Sequence, residues 1–76
     1  MVKDATPKIK RAFGDRVREL RVARGWSQET MGEACDLHWT YIGGIERGER
    51  NPTLESVYKV AKGLKIKISD LFDGLG

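Results

Sequence analysis

Between Ser27 and Asn51 the chain gathers side chains that bind by hydrogen bonding and stacking rather than by forming covalent bonds. They are Ser27 and Gln28, then His38, Trp39, Thr40 and Tyr41, then Arg47, Arg50 and Asn51. Arginine offers a planar fork of N–H donors, suited to phosphates and to the acceptor pair of guanine. Threonine sets a methyl beside a hydroxyl, and tryptophan has one N–H donor on a large apolar face. No Ser–His–Asp set, paired carboxylates or phosphate-cradling glycine loop accompanies them, so enzyme activity is not expected. One cysteine, Cys35, and one histidine, His38, cannot make a zinc set of the usual spacing. No metal, cofactor or small-molecule ligand is expected.

Two short helices and a tight turn must position these residues. Ser27 can cap the first of them, Gln28 and Glu29 open it, and Met31, Ala34 and Cys35 give it a small apolar face. Asp36 falls where the turn needs a residue that tolerates a positive φ. Leu37 then fills the gap between the helices, and His38 is an imperfect cap for the second. Ile42 and Ile45 repeat at helical spacing with Leu37, which buries one face. Trp39, Thr40, Gly43 and Gly44 are left on the other faces. Gly48 ends this helix, and Asn51-Pro52 makes a turn. This is the layout of a helix-turn-helix, which lays its second helix in the major groove of DNA.

The rest of the chain reads as support. Residues 1–7 suit a flexible arm ending at Pro7, and residues 8–76 one domain. A first helix is expected from Lys8 to Arg24, with Ile9, Phe13, Val17 and Leu20 as its core stripe and Gly25 as its stop. Gly14 marks a place where another helix can pack closely. Trp26 covers the core. Thr53 caps a fourth helix that buries Leu54, Val57, Val60 and Ala61 and closes at Gly63. A short fifth helix near Ser69 carries Ile68, Leu71 and Phe72. Lys65–Ile68 alternates like a strand over four residues only and is read as a linker.

Three segments, FGDRVRELRVARGWSQE, TYIGGIERGERNPTLE and ISDLF, resemble the lambda-repressor-like DNA-binding domains of the Xre family. TYIGGIERGERN is especially similar to the controller proteins of restriction-modification systems, small dimeric regulators of endonuclease expression. The resemblance implies an all-α, five-helix fold and a DNA-binding transcriptional regulator. It places Gln28, Arg47, Arg50 and Asn51 against DNA phosphates, with Ser27, His38 and Tyr41 as further phosphate candidates. Ser27 has its cap, and Tyr41 a half-buried place in the core, as alternatives. The resemblance also pairs Glu46 with Arg21 inside the domain. Trp39 departs from the family, which often carries Arg there. It either meets bases or the groove wall, or folds back onto the helix opened by Gln28, or occupies a protein interface. Thr40 suits a base edge, and Gly43 and Gly44 would let the helix backbone approach the DNA.

A chain of 76 residues makes one domain with a marginal core, burying about 60% of its unfolded surface. Leu64, Ile68, Leu71 and Phe72 are the expected face of a homodimer, which would place two reading helices about 34 Å apart on an inverted repeat. The net charge of +3 is unevenly spread. Residues 1–26 carry eight Lys/Arg against three acids, residues 27–50 two against five, and residues 51–76 four against three. Phosphate attraction must therefore come from the N-terminal third and from the Arg47/Arg50 loop. No apolar run approaches a membrane span and no signal core leads the chain, so a cytoplasmic location is expected. A phage-type repressor or an antitoxin with the same fold is an alternative role. An adaptor that has lost base reading is the alternative from another class, favoured by the acidic middle segment and by Trp39, Gly43 and Gly44.

Overall fold

The computed structural model describes residues 6–75. Five helices follow one another: α1 (Thr6–Ala23), α2 (Gln28–Cys35), α3 (Trp39–Glu46), α4 (Leu54–Leu64) and α5 (Ile68–Leu71). No strand occurs among the described residues; residues 65–67 turn into α5, which Ile68 opens. The first helix begins two residues earlier than the sequence suggested. Thr6 and Pro7 already belong to α1, where the missing N–H of proline removes only a first-turn donor that a helix cannot use. Residues 1–5 of the expected arm lie outside the described residues.

The core is Phe13 and Val17 of α1, Met31 and Cys35 of α2, Ile42 and Ile45 of α3, Val60, Ala61 and Leu64 of α4, and Leu71 of α5. Leu20, Trp26, Leu37 and Val57 pack against it while partly exposed. Two residues expected in the core are not there. Ile9 is 44% exposed and lines a shallow groove with Phe13, Asn51, Pro52, Val57 and Phe72. Leu54 is 83% exposed. It shares a stripe with Ala61 but sits two turns before it, past the edge of the core. Ala34 is also exposed, so the apolar face of α2 narrows to Met31 and Cys35.

Helix ends follow local chemistry. α1 stops in a Schellman turn with Gly25 left-handed, where Trp26 N–H reaches the Arg21 carbonyl at 3.2 Å and Gly25 N–H that of Val22 at 2.9 Å. Thr53 caps α4, its hydroxyl accepting the Ser56 N–H at 3.0 Å. The end of α4 differs from expectation. Gly63 is inside the helix, and Lys65 takes the left-handed position at φ 60°. Gly63 is needed for packing: a Cβ there would lie 2.5 Å from Cys35 Sγ and 2.7 Å from the Ala34 carbonyl oxygen. Arg24 closes α4 from outside by donating to the Leu64 carbonyl at 2.8 Å.

The expected dimer face also changes. Leu64 and Leu71 are 2% and 0% exposed within the single chain, so they hold α4 and α5 to the core and present nothing to a partner. α5 is short and lies down because Leu71 is buried, while Arg16 of α1 donates to the Asp70 carbonyl at 2.8 Å. Ile68 and Phe72 remain outside, with Phe72 stacked on Phe13 at 5.2 Å between ring centroids.

Candidate nucleic-acid interface

The α2–turn–α3 unit is fixed at each joint by a residue suited to it. Ser27 is extended (φ −74°, ψ 169°), and its Oγ accepts the Thr30 N–H at 3.0 Å. Asp36 takes the left-handed conformation at φ 56°, which Asp tolerates better than most residues. Leu37 N–H then bonds the Gly32 carbonyl at 2.9 Å. Gly32 permits this tight return, since a Cβ would sit 2.5 Å from the Leu37 carbonyl oxygen and 3.2 Å from the Trp39 nitrogen. His38 caps α3 through Nδ1, which accepts the Thr40 N–H at 3.1 Å and lies 2.7 Å from the Thr40 hydroxyl.

Ile42 and Ile45 anchor the inward side of α3. Beside them Glu46 is held by Arg21, whose Nε donates to Oε2 at 2.6 Å and whose Nη2 donates to Oε1 at 3.0 Å. Arg21 Nη1 also donates to the Trp26 carbonyl at 2.8 Å, so one guanidinium ties the α1–α2 connection to α3. The Glu46 side chain is only 5% exposed. Its hydrogen bond raises the Arg21 pKa above the ordinary arginine value, against burial, which lowers it. The pair clamps α1 to α3 inside the domain.

Gln28 joins that clamp. Its Nε2 donates to Glu46 Oε1 at 3.1 Å, so the amide lies across α3 instead of pointing outward from α2. Gly43 and Gly44 are buried rather than bare. Gly43 lies under the Arg47 guanidinium and the Gln28 amide, 3.1 and 3.3 Å from a built Cβ, and Gly44 lies under Arg50. In the free chain these glycines therefore seat side chains of the domain itself. Nothing in the sequence spacing pointed to that, because the covering residues come from the helix before and the loop after.

Trp39 and Thr40 remain on the surface at the first turn of α3. Trp39 is 45% exposed and stacks on His38 at 5.9 Å, and it does not fold back into the core. Tyr41 is half-buried with the Arg50 guanidinium carbon 5.5 Å above its ring. Arg47 and Asn51 are exposed, and Arg47 pairs with Glu49 at 3.1 Å. Gln28, Trp39, Thr40, Arg47, Arg50 and the cap residues Ser27 and His38 thus fall on or beside one side of α3, with Asn51 on the loop that follows. Cys35 lies behind it in the core, where burial pushes the thiol up to about 11 and keeps it neutral. No group of three His, Cys, Asp or Glu side chains among the described residues could hold a metal ion, and no helix is long and apolar enough to cross a membrane.

Residues 17–71 match the helix-turn-helix family HTH_3. The chain is 44% identical over 69 residues to the control protein C.BamHI of Bacillus amyloliquefaciens, covering 90% of this chain and 85% of that protein. It is 40% identical over 68 residues to the control protein C.SmaI of Serratia marcescens, covering 90% and 81%. Among solved structures, the restriction-modification controller protein C.AhdI of Aeromonas hydrophila superposes with a TM-score of 0.80 at 46% identity, over 83% of this chain and 96% of that one. With its two capped helices, its left-handed turn and its exposed first turn of α3, the chain belongs to the helix-turn-helix family of Xre-type, lambda-repressor-like DNA-binding transcriptional regulators.

Proposed function

We propose that this regulator is a controller protein or repressor that binds an inverted-repeat operator as a homodimer and acts on a nearby promoter in the cytoplasm. The observation that carries the reading is the exposed Trp39–Thr40 turn of α3, flanked by Gln28, Arg47 and Arg50, in a chain similar to control proteins over nearly its full length. Trp39 and Thr40 address base edges. Ser27, Gln28, His38, Tyr41, Arg47, Arg50 and Asn51 address the sugar–phosphate backbone, aided by the N-terminal ends of α2 and α3. The Arg47–Glu49 pair is exposed at both ends, so giving it up for a phosphate costs little. Enrichment of random-sequence duplexes by the full chain, followed by anisotropy titration of the enriched sequence against a scrambled one, tests this. A single enriched half-site repeated in inverted order is expected. Equal binding to all duplexes, or none, sinks base reading and leaves an adaptor role, which the exposed acids Glu29, Glu33 and Asp36 beside Trp39 would then serve.

The dimer face is Ile68 and Phe72, joined by Ile9, since Leu64 and Leu71 are occupied within the chain. Sedimentation at micromolar concentration should give a dimer. Phe72→Ala should shift it toward monomer and weaken operator binding more than it lowers the melting temperature of the isolated chain. A strict monomer with and without operator counts against the assembly.

A further inference from the structure

The front of α3 carries a borrowed arginine. A Cβ built on Gly44 would lie 2.6 Å from Arg50 Cγ, 3.3 Å from Nε and 3.5 Å from Cδ. The stem of Arg50 therefore occupies the notch left by the missing side chain. The backbone delivers it there: Gly48, left-handed at φ 73°, turns the chain back over α3. The N–H groups of Glu49 and Arg50 both reach the Gly44 carbonyl, at 2.9 and 3.3 Å. The guanidinium ends over Tyr41, its carbon 5.5 Å from the ring centroid. Unlike Arg16, Arg21 and Arg47, Arg50 pairs with no carboxylate among the described residues. Helical geometry places this contact. Ile42 and Ile45 face inward, and at about 100° per residue Thr40, Gly43, Gly44 and Arg47 fall on the opposite side. Arg50 thus lies along the outward flank of α3, where a side chain at position 44 would have stood.

We propose that Arg50 is a specificity-determining residue that reads a guanine in the major groove from the place Gly44 vacates. The proposal rests on the DNA-binding reading above and changes the role of one residue within it, from phosphate grip to base contact. Its chemistry is the match between the arginine fork and the O6 and N7 acceptors of guanine. Trp39 at the start of α3 cannot make that bidentate contact, which leaves the role open for a second residue. The stem in the notch and the charge over Tyr41 restrict the fork before DNA arrives, so less side-chain freedom is lost on binding.

The test uses the full chain and its enriched duplex, with each guanine replaced in turn by 7-deazaguanine, which removes N7 and keeps base pairing. Wild-type binding should fall about tenfold at one guanine in each half-site. Arg50→Ala should bind more weakly and be insensitive at that position while keeping sensitivity elsewhere. Arg50→Lys should keep the wild-type salt dependence, because it keeps the charge. Gly44→Ala should fold, displace the arginine stem and lose the same sensitivity, and the double variant Gly44→Ala with Arg50→Ala should bind no worse than Arg50→Ala alone. The proposal is overturned if every deazaguanine effect survives in Arg50→Ala; Arg50 is then a phosphate grip. It is equally overturned if no guanine replacement matters to the wild type. Failure of the pools to enrich any sequence is a separate result and removes the DNA-reading premise itself.

Discussion

Helix α3 has one glycine pressed against its back and two built into its front, and the two sides use the missing Cβ differently. On the back, Gly14 of α1 meets backbone. A Cβ there would overlap the Ile45 carbonyl oxygen and sit 2.9 Å from that of Glu46. On the front, Gly43 and Gly44 meet side chains: the ends of Gln28 and Arg47, and the stem of Arg50. A carbonyl in a helix cannot yield without moving the helix. A glutamine amide or an arginine stem yields by rotating its own bonds. The glycine on the back therefore sets how closely α1 and α3 pack, and those on the front set which side chains lie on the face proposed to meet DNA.

The largest expected effect comes from the clamp on the back. Glu46→Ala leaves Arg21 with an uncompensated charge in a site where its side chain is 13% exposed, and it also removes the acceptor of Gln28. A loss of about 3 kcal/mol is expected, which for a domain this small lowers the melting temperature by roughly 15 °C. Arg21→Met with Glu46→Leu should recover part of the loss. Recovery stays incomplete because Arg21 also donates to the Trp26 carbonyl, and Gln28 still lacks its partner. Thermal melts of the three variants decide it. A single variant that melts like wild type would mean that the back of α3 is held by packing alone.

Gly14→Ala probes the same side with a smaller effect. Alanine gains about 1 kcal/mol in helix propensity, but the overlap with two backbone carbonyls forces α1 away from α3. A net loss of about 2 kcal/mol is expected, read as a lower denaturant midpoint with unchanged slope. An increase in stability would show that the two helices separate easily and that the close approach is incidental.

The back of α3 was more legible in sequence than the front, for a physical reason. Caps and turns are local. Ser27, Asp36, Gly48 and Thr53 each act on backbone within a few residues, and each stands at the joint that its chemistry suggested. Ile42 and Ile45 announced the inward face by their spacing. The Arg21–Glu46 pair spans 25 residues and came from the family resemblance, not from periodicity. The end of α4 misled because Gly63 invites a stop, yet a missing side chain serves close packing as well as a left-handed turn, and Lys65 took the turn. The burial of Leu71 and the covers over Gly43 and Gly44 depend on where α5 lies and how the loop after α3 returns. Those are tertiary facts with no local signature. Trp39 was left open between base contact and protein contact, and at 45% exposure beside Glu29, Gly32 and Glu33 of α2 it is available for either.

On the front, changes should reach DNA before stability. Trp39→Ala removes a residue that stacks only on His38 at the surface, so the melt should move little. The preference for the enriched duplex over a scrambled one should narrow by about 1–3 kcal/mol. The slope of log K against log salt should stay the same, since no charge is lost. Anisotropy titrations at several salt concentrations separate the two quantities. Full discrimination by the variant would move reading onto Thr40 and Arg50 and make Trp39 a surface for protein.

The smallest effect is the sharpest test of the difference between the two sides. Gly43→Ala adds the same methyl as Gly14→Ala and gains the same helix propensity, but it meets the Arg47 guanidinium at 3.1 Å and the Gln28 amide at 3.3 Å. Both are ends of side chains and need to move only a few tenths of an ångström. The variant should be as stable as wild type or up to about 1 kcal/mol more so, placing it about 2–3 kcal/mol above Gly14→Ala. One thing could reverse the sign. Gln28 is tied to Glu46 by a 3.1 Å hydrogen bond, and Glu46 is tied to Arg21, so the amide could be as unyielding as backbone. Gln28→Ala with Gly43→Ala resolves this. If Gly43→Ala alone destabilises and the second change restores stability, the clamp on the back reaches through Gln28 to stiffen the front. If Gly43→Ala is neutral from the start, the amide yields, and the front of α3 can adapt to DNA while the back holds its shape.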